Sequence, residues 1–93
     1  MSPYIAQTRR GDFGVLLEEI KSTRIDNPGE VVYLFCKIAD IYLSQHLMEF
    51  ARMNDIMGAL ESAKADFIRN VLGPYEVKKQ TERGDVWTEW GNT

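Results

Sequence analysis

Asn27-Pro28-Gly29-Glu30-Val31-Val32-Tyr33-Leu34-Phe35-Cys36-Lys37-Ile38-Ala39-Asp40-Ile41-Tyr42-Leu43-Ser44 is the stretch that decides the fold. It opens as helices open. The Asn side chain accepts from first-turn amides, Pro is preset for the first helical position, and the acid three residues after the Asn reaches back to the cap. From Val31 to Leu43, 11 of 13 residues are apolar, the exceptions being Lys37 and Asp40. With each residue turned about 100° from the last, Glu30, Tyr33, Lys37, Asp40 and Ser44 share one polar strip bordered by Leu34 and Ile41. Every other direction is oily, and two partner helices do not cover that circumference. The expectation is a helix over 28–44 whose Val32, Phe35, Ile38 and Tyr42 meet another copy of the chain.

Working outward, Ser44 to Phe50 reads as a connection, with Gln45 and His46 polar and Leu47 and Met48 tucked back under the helices. A third helix over about 52–72 carries Met53, Ile56, Met57, Leu60, Phe67, Ile68 and Val71 on one face, opposite Asp55, Ser62, Asp66 and Arg69. Gly73-Pro74 predicts a stop or kink, because Pro removes an amide and its ring crowds the preceding turn. A short charged helix follows over 75–83, and Gly84-Asp85 turns the chain into a tail, 84–93, that holds both Trp87 and Trp90. Rings of that size predict docking on the helices or on a neighbouring subunit. Toward the N-terminus, Phe13, Leu16, Leu17 and Ile20 predict a one-sided surface helix over 12–25. Tyr4 and Ile5 predict that Met1 to Arg10 is a docked arm. The summed expectation is one all-α domain over 1–93: a three-helix antiparallel bundle with a docked N-terminal arm and C-terminal tail, assembled as a homo-oligomer.

Composition narrows the function classes. The 93 residues carry 11 Lys and Arg against 14 Asp and Glu, a net charge of -3, which supplies no positive field for general coating of DNA or RNA. The longest apolar run without a charge, Val31 to Cys36, is far short of a membrane span, and Met1 to Asp12 has no apolar core of a secretion signal, so the expected place is the cytoplasm. One Cys and one His form neither an internal disulfide nor a four-ligand zinc cage. Size scaling predicts a folded surface of about 5,500 Å² for a compact chain of this mass, a modest core for packing alone to hold.

Few residues stand out chemically. Lys64 sits at the centre of the third helix's apolar face, where a charge is costly unless its head escapes or is paired. It is either a lysine whose stem packs while its ammonium reaches Glu61 or an acid on a neighbouring helix, or a cation held between helices for an anionic ligand. Tyr33, Lys37 and Asp40 form either a solvated strip with a Lys37–Asp40 pair, worth ~0.2–0.5 kcal/mol, or the lining of a cleft between subunits. Arg69 completes the candidate ligand set of Lys64, Tyr33, Lys37 and Arg69. Arg9-Arg10 and Lys78-Lys79 are adjacent basic pairs flanked by acids, and read as solvated surface. Gly11-Asp12-Phe13-Gly14 spells the magnesium motif of kinases, but the chain is too short for that fold and lacks its catalytic loop. Cys36 and His46 are ten residues apart, with no acid placed to orient the His. No phosphate-binding glycine loop occurs. The expectation is therefore no catalytic residue, no metal and no cofactor.

Pro3-Tyr4-Ile5, Gly29-Glu30 with Tyr33, Ile56-Met57-Gly58-Ala59-Leu60-Glu61 with Lys64, Phe67 and Arg69, and Pro74-Tyr75-Glu76 with Lys78-Lys79 and Gly84-Asp85-Val86 resemble a family of small uncharacterised proteins of bacteriophages and bacteria. Its pattern Pro-Tyr-Glu-Asp-Lys-Lys has an acid where this chain has Val77. The resemblance implies a phage or prophage setting, hence a host cytoplasm, and supplies no catalytic residue. Two functions are carried forward: a self-associated protein-interaction module acting on an unknown protein partner, and a binder of a small, nucleotide-like anion with pockets between helices or subunits. Thermal stabilisation by members of a nucleotide panel separates them: a ligand that binds the folded state raises the melting temperature, and a flat response to every anion at high excess leaves the interaction module.

Overall fold

The computed structural model describes residues 1–87. Trp90 and the rest of the expected tail beyond position 87 lie outside the described residues. The described elements are all helical: α1 (Gln7–Gly11), α2 (Gly14–Ser22), α3 (Pro28–Ser44), α4 (Phe50–Phe67), a π turn (Ile68–Leu72) and α5 (Gly73–Arg83). No described helix is long and apolar enough to cross a membrane.

The start of α3 shows its sequence logic in atoms. Asn27 is extended, and its Oδ1 accepts the amide of Glu30 at 3.1 Å. The Glu30 carboxylate reaches back one residue further than the cap, accepting the amide of Asp26 at 2.7 Å, and Arg24 holds the Asp26 carboxylate in turn. Helix α3 ends where Gln45 closes the last turn and the His46 ring folds under Tyr42, ring centres 4.2 Å apart, with Nδ1 2.7 Å from the Tyr42 carbonyl oxygen.

Gly73-Pro74 neither stops the helix nor leaves it unchanged. A proline in a regular helix loses one amide bond and its ring clashes with the carbonyl four residues back. Here the turn before it widens to π geometry, so that the Gly73 amide donates to Ile68, five residues earlier, and the chain continues into α5. The wider turn leaves no room for a side chain: a methyl group on Gly73 would stand 2.9 Å from the Ile68 carbonyl oxygen. At the far end Gly84, at φ 88°, terminates α5 in a conformation that side chains disfavour, its amide donating to Gln80 at 2.8 Å.

The N-terminal third differs from the expected single helix over 12–25. It begins with α1 inside the arm, where Arg9 pairs with Asp12 at 2.8 Å and lies 4.8 Å over the Phe13 ring. It ends earlier, at Ser22, because Ser22 and Thr23 turn their hydroxyls onto the Glu19 carbonyl and Thr23 is already extended.

Packing between helices is sparse. Helices α3 and α4 form a hairpin, and α4, the π turn and α5 run on as one rod. Helix α2 has no extended contact with any other described helix, so a closed three-helix bundle is not what the single chain shows. No described residue is fully buried. The accessible surface is 8408 Å², against about 5,500 Å² for a compact chain of this mass. The radius of gyration is 17.8 Å, where about 12 Å is usual for this length.

The π turn generates a clear expectation. Gly73→Ala, a change that stabilises most helix interiors, lowers the denaturation midpoint here because the added methyl meets a backbone oxygen. Gly11→Ala, with nothing within 4 Å of the new methyl, does not. Chemical denaturation followed by circular dichroism checks it, and an unchanged or raised midpoint for Gly73→Ala refutes the steric account.

Candidate functional site

A groove of about 510 Å³ lies between α3 and α4. Phe35 and Ile38 form one wall, and Leu60, Lys64 and Phe67 form the other. Ala39, Ala59 and Ala63 also line it, and their small side chains leave the space between the helices open. Apolar side chains line nearly all of it, and Lys64 is the one charged residue. Its size suits a ligand, but the walls remain open to water: Phe35 is 51% exposed and Ile38 59%.

One end of the groove is pinned by a tyrosine. Tyr42, near the end of α3, donates its hydroxyl to Asp55 Oδ2 in the first turns of α4 at 2.8 Å. Arg52 Nε lies 3.2 Å from the same oxygen, an electrostatic pairing without the alignment of a hydrogen bond. The Tyr42 phenol is held above its ordinary range, first by its hydrogen bond to the Asp55 carboxylate, then by desolvation and by the negative charge of that carboxylate, with Arg52 opposing.

The opposite face of α4 carries the N-terminal arm. Gly58, Ser62, Asp66 and Asn70 recur every four residues, which stacks them along one side of the helix. Met1 lies over Gly58, where an added methyl would come 3.0 Å from the Met1 Cε. Tyr4 donates its hydroxyl to Asp66 Oδ1 at 2.9 Å, and Asn70 Nδ2 donates to the same oxygen at 3.1 Å and to the Tyr4 hydroxyl at 3.3 Å. Arg69 Nη1 is 3.5 Å from Asp66 Oδ1. The Tyr4 phenol is raised as well, chiefly by its hydrogen bond to Asp66.

The residues singled out in the sequence are thus distributed over three places. Lys64 lines the groove. Arg69 stands on the other side of α4, beside Asp66 and the arm. Tyr33 and Lys37 occupy the polar strip of α3, and Tyr33 is 61% exposed. Neither Lys64 nor Lys37 forms an ion pair with another described residue, so the Lys64–Glu61 and Lys37–Asp40 pairs of the sequence reading are not made. Among the residues expected at an interface, Phe35 and Ile38 are groove walls, Val32 is exposed, and Tyr42 is committed to Asp55. Trp87 is exposed beside Lys79 and Arg83 at the end of α5. Asp12 of the kinase-like tetrapeptide serves Arg9.

Sequence reasoning missed the two tyrosine–carboxylate contacts. A signal existed for the first: a hydroxyl on an otherwise oily helix, one turn before a short connection, needs a polar partner, and Asp55 is the first acid within the next helix. For Tyr4 and Asp66, 62 residues apart, no local pattern pointed from one to the other.

Residues 1–86 match the model of a family described as Domain of unknown function (DUF6899). No curated protein and no solved structure matches the chain.

The Tyr42–Asp55 bond gives a pH-dependent expectation. The folded state raises the phenol's pKa, so the bond's contribution is complete below the unfolded value of about 10 and is lost as pH rises through the folded value. Tyr42→Phe therefore melts below the wild type at pH 7, and the difference shrinks above about pH 10. Paired thermal melts at both pH values check this. A gap that persists at high pH would show that the hydroxyl acts by some route other than its neutral hydrogen bond.

Proposed function

The chain belongs to the DUF6899 family, whose description names no reaction, and on that premise we propose that it is a protein-interaction module that works as a self-associated helical oligomer. The observation that carries this reading is the lack of any fully buried residue among those described, in a chain that is 44% hydrophobic. Its 8408 Å² of accessible surface exceeds that of a compact chain by roughly 2,900 Å², whereas a stable interface takes about 800 Å² from each partner. One chain therefore exposes surface enough for more than one contact with its copies, large apolar side chains such as Val32, Phe35, Ile38 and Met57 among it, and association is what covers the oily arc of α3 and the α3–α4 groove.

Association of this kind leaves the polar strip of Glu30, Tyr33, Lys37 and Asp40 outward, and the assembled surface is what a further protein partner meets. The closed bundle expected from the sequence forms between copies. A nucleotide-like anion is served less well, because the four candidate residues stand at three places and the groove offers one cation in an apolar lining. The reading assigns no catalytic role. The phage or bacterial setting and the cytoplasm go with it on the strength of the sequence resemblance.

Sedimentation velocity from 1 to 100 μM, on the order of the range that resolves micromolar self-association, tests it. A dimer or larger species is expected. Ile38→Asp, which removes an apolar side chain worth about 1.5–3 kcal/mol of burial, raises the dissociation constant roughly 10- to 100-fold. A fully helical wild-type monomer across the whole range overturns the reading.

A further inference from the structure

Helix α4 carries a second pattern, superimposed on its general amphipathicity. Met53, Met57, Leu60, Lys64 and Phe67 follow one another at intervals of four, three, four and three residues. That alternation is the seam of a coiled coil, in which the two apolar positions of each heptad face a partner helix. In a helix packed fully within its own chain such a seam is covered. Here it is open: Met53 is 47% exposed, Met57 66% and Phe67 55%. The arm occupies the opposite face, over Gly58 and at Asp66, so nothing from the N-terminus competes for it. Helix α3 reaches only one flank, where Phe35 and Ile38 stand across the groove from Leu60 and Phe67.

The seam has one charged position, and its neighbourhood indicates what covers it. Lys64 sits where a coiled coil ordinarily places an apolar side chain, and it has no ion-pair partner among the described residues. Glu61, at the edge of the same seam, has none either, although the two are three residues apart. A cation in the seam and an acid beside it are complementary to a second copy of the same surface turned end for end. Resting on the self-association proposed above, we infer that α4 pairs with α4 of a second copy in antiparallel register about a two-fold axis at the level of Ser62, with Lys64 of each chain reaching Glu61 of the other.

The register follows from the packing rule and the charges together. In antiparallel pairs the two seam positions of one helix face the opposite kind on the other, which sets Lys64 against Leu60 and Met57 against Phe67 of the second copy. The lysine stem then packs on Leu60 while the ammonium leaves the seam sideways, toward Glu61. A parallel pair would instead place both Lys64 side chains in one layer, with like charges facing in a partly dry interface. Turning one helix end for end separates them by roughly 6 Å along the axis, four residues at 1.5 Å each, and gives each its own acid. The π turn that begins at Ile68 shifts the following residues out of phase, so the regular seam ends at Phe67. A single polar seam residue of this kind sets register and copy number at a cost in affinity, which assigns Lys64 a specificity role.

The test is a charge exchange read by sedimentation equilibrium, with helicity checked by circular dichroism for each variant. Lys64→Glu and Glu61→Lys each raise the dissociation constant at least tenfold, and the double variant, which restores opposite charges across the axis, returns to within about threefold of wild type. Single variants that associate as the wild type does, or a double variant weaker than either single one, overturn the register. A second measurement does not depend on variants folding. Zero-length carbodiimide cross-linking of a mixture of ¹⁴N- and ¹⁵N-labelled wild-type chains yields a mixed-isotope Lys64–Glu61 link, whereas links formed only within one chain carry a single isotope and refute the pairing. The two proposals fail separately. A monomeric wild type removes self-association altogether, whereas an oligomer that is weakened by Ile38→Asp, ignores the charge exchange and gives no mixed-isotope link removes only this interface.

Discussion

The rest of the structure depends on one constraint: α3 is oily around most of its circumference, and within the described chain α4 covers only one side of it. Each 100 Å² of apolar surface withdrawn from water stabilises by about 2.5 kcal/mol, so leaving Val32, Phe35 and Ile38 in solvent forgoes a large part of what holds a small protein together. A chain of this size has little core to spare. The uncovered arc of α3 and the exposed stripe of α4 meet across the groove, where Phe35 and Ile38 face Leu60 and Phe67, so they form one apolar surface and not two unrelated patches.

Order within the single chain rests on a few specific polar contacts. The cap at Asn27 fixes where α3 begins. The Tyr42–Asp55 bond sets the spacing of α3 and α4 at the closed end of their hairpin, and the Tyr4–Asp66–Asn70 cluster ties the arm along the far side of α4. The π turn carries the helix past Pro74 without breaking it. These contacts place the groove and the seam on one side of α4 and the arm on the other, so the apolar surface is presented as a face instead of being scattered.

Charge is distributed to match. Arg9, Lys21, Arg24, Arg52, Arg69 and Lys79 each lie within 4 Å of a carboxylate in their own segment, mostly in exposed pairs that contribute little to stability. Arg10, Lys37, Lys64, Lys78 and Arg83 have no such pair among the described residues, and of these Lys64 is the one that lines the apolar groove. An unpaired cation costs little there while the groove is open to water, and any partner that closed the groove would have to bring the ammonium an acid.

The local features of this protein were legible in its residues. Asn27-Pro28 marks the start of α3, the run from Val31 to Leu43 shows that the helix is oily on most of its faces, and Gly73-Pro74 marks a disturbance, because caps, periodicity and proline sterics act over a few neighbouring residues. The arm helix α1, the early end of α2 and the π turn were less legible, since each reflects competition between nearly equivalent local hydrogen bonds. Which side chains meet was not legible at all: Tyr42 with Asp55, Tyr4 with Asp66, and the separation of Lys64 from Arg69 and from the Tyr33–Lys37 strip are set by how helices distant in sequence lie on one another. Periodicity states which face of a helix is oily. Only the tertiary structure decides whether the chain covers that face itself, because that depends on where the connections let the other helices reach.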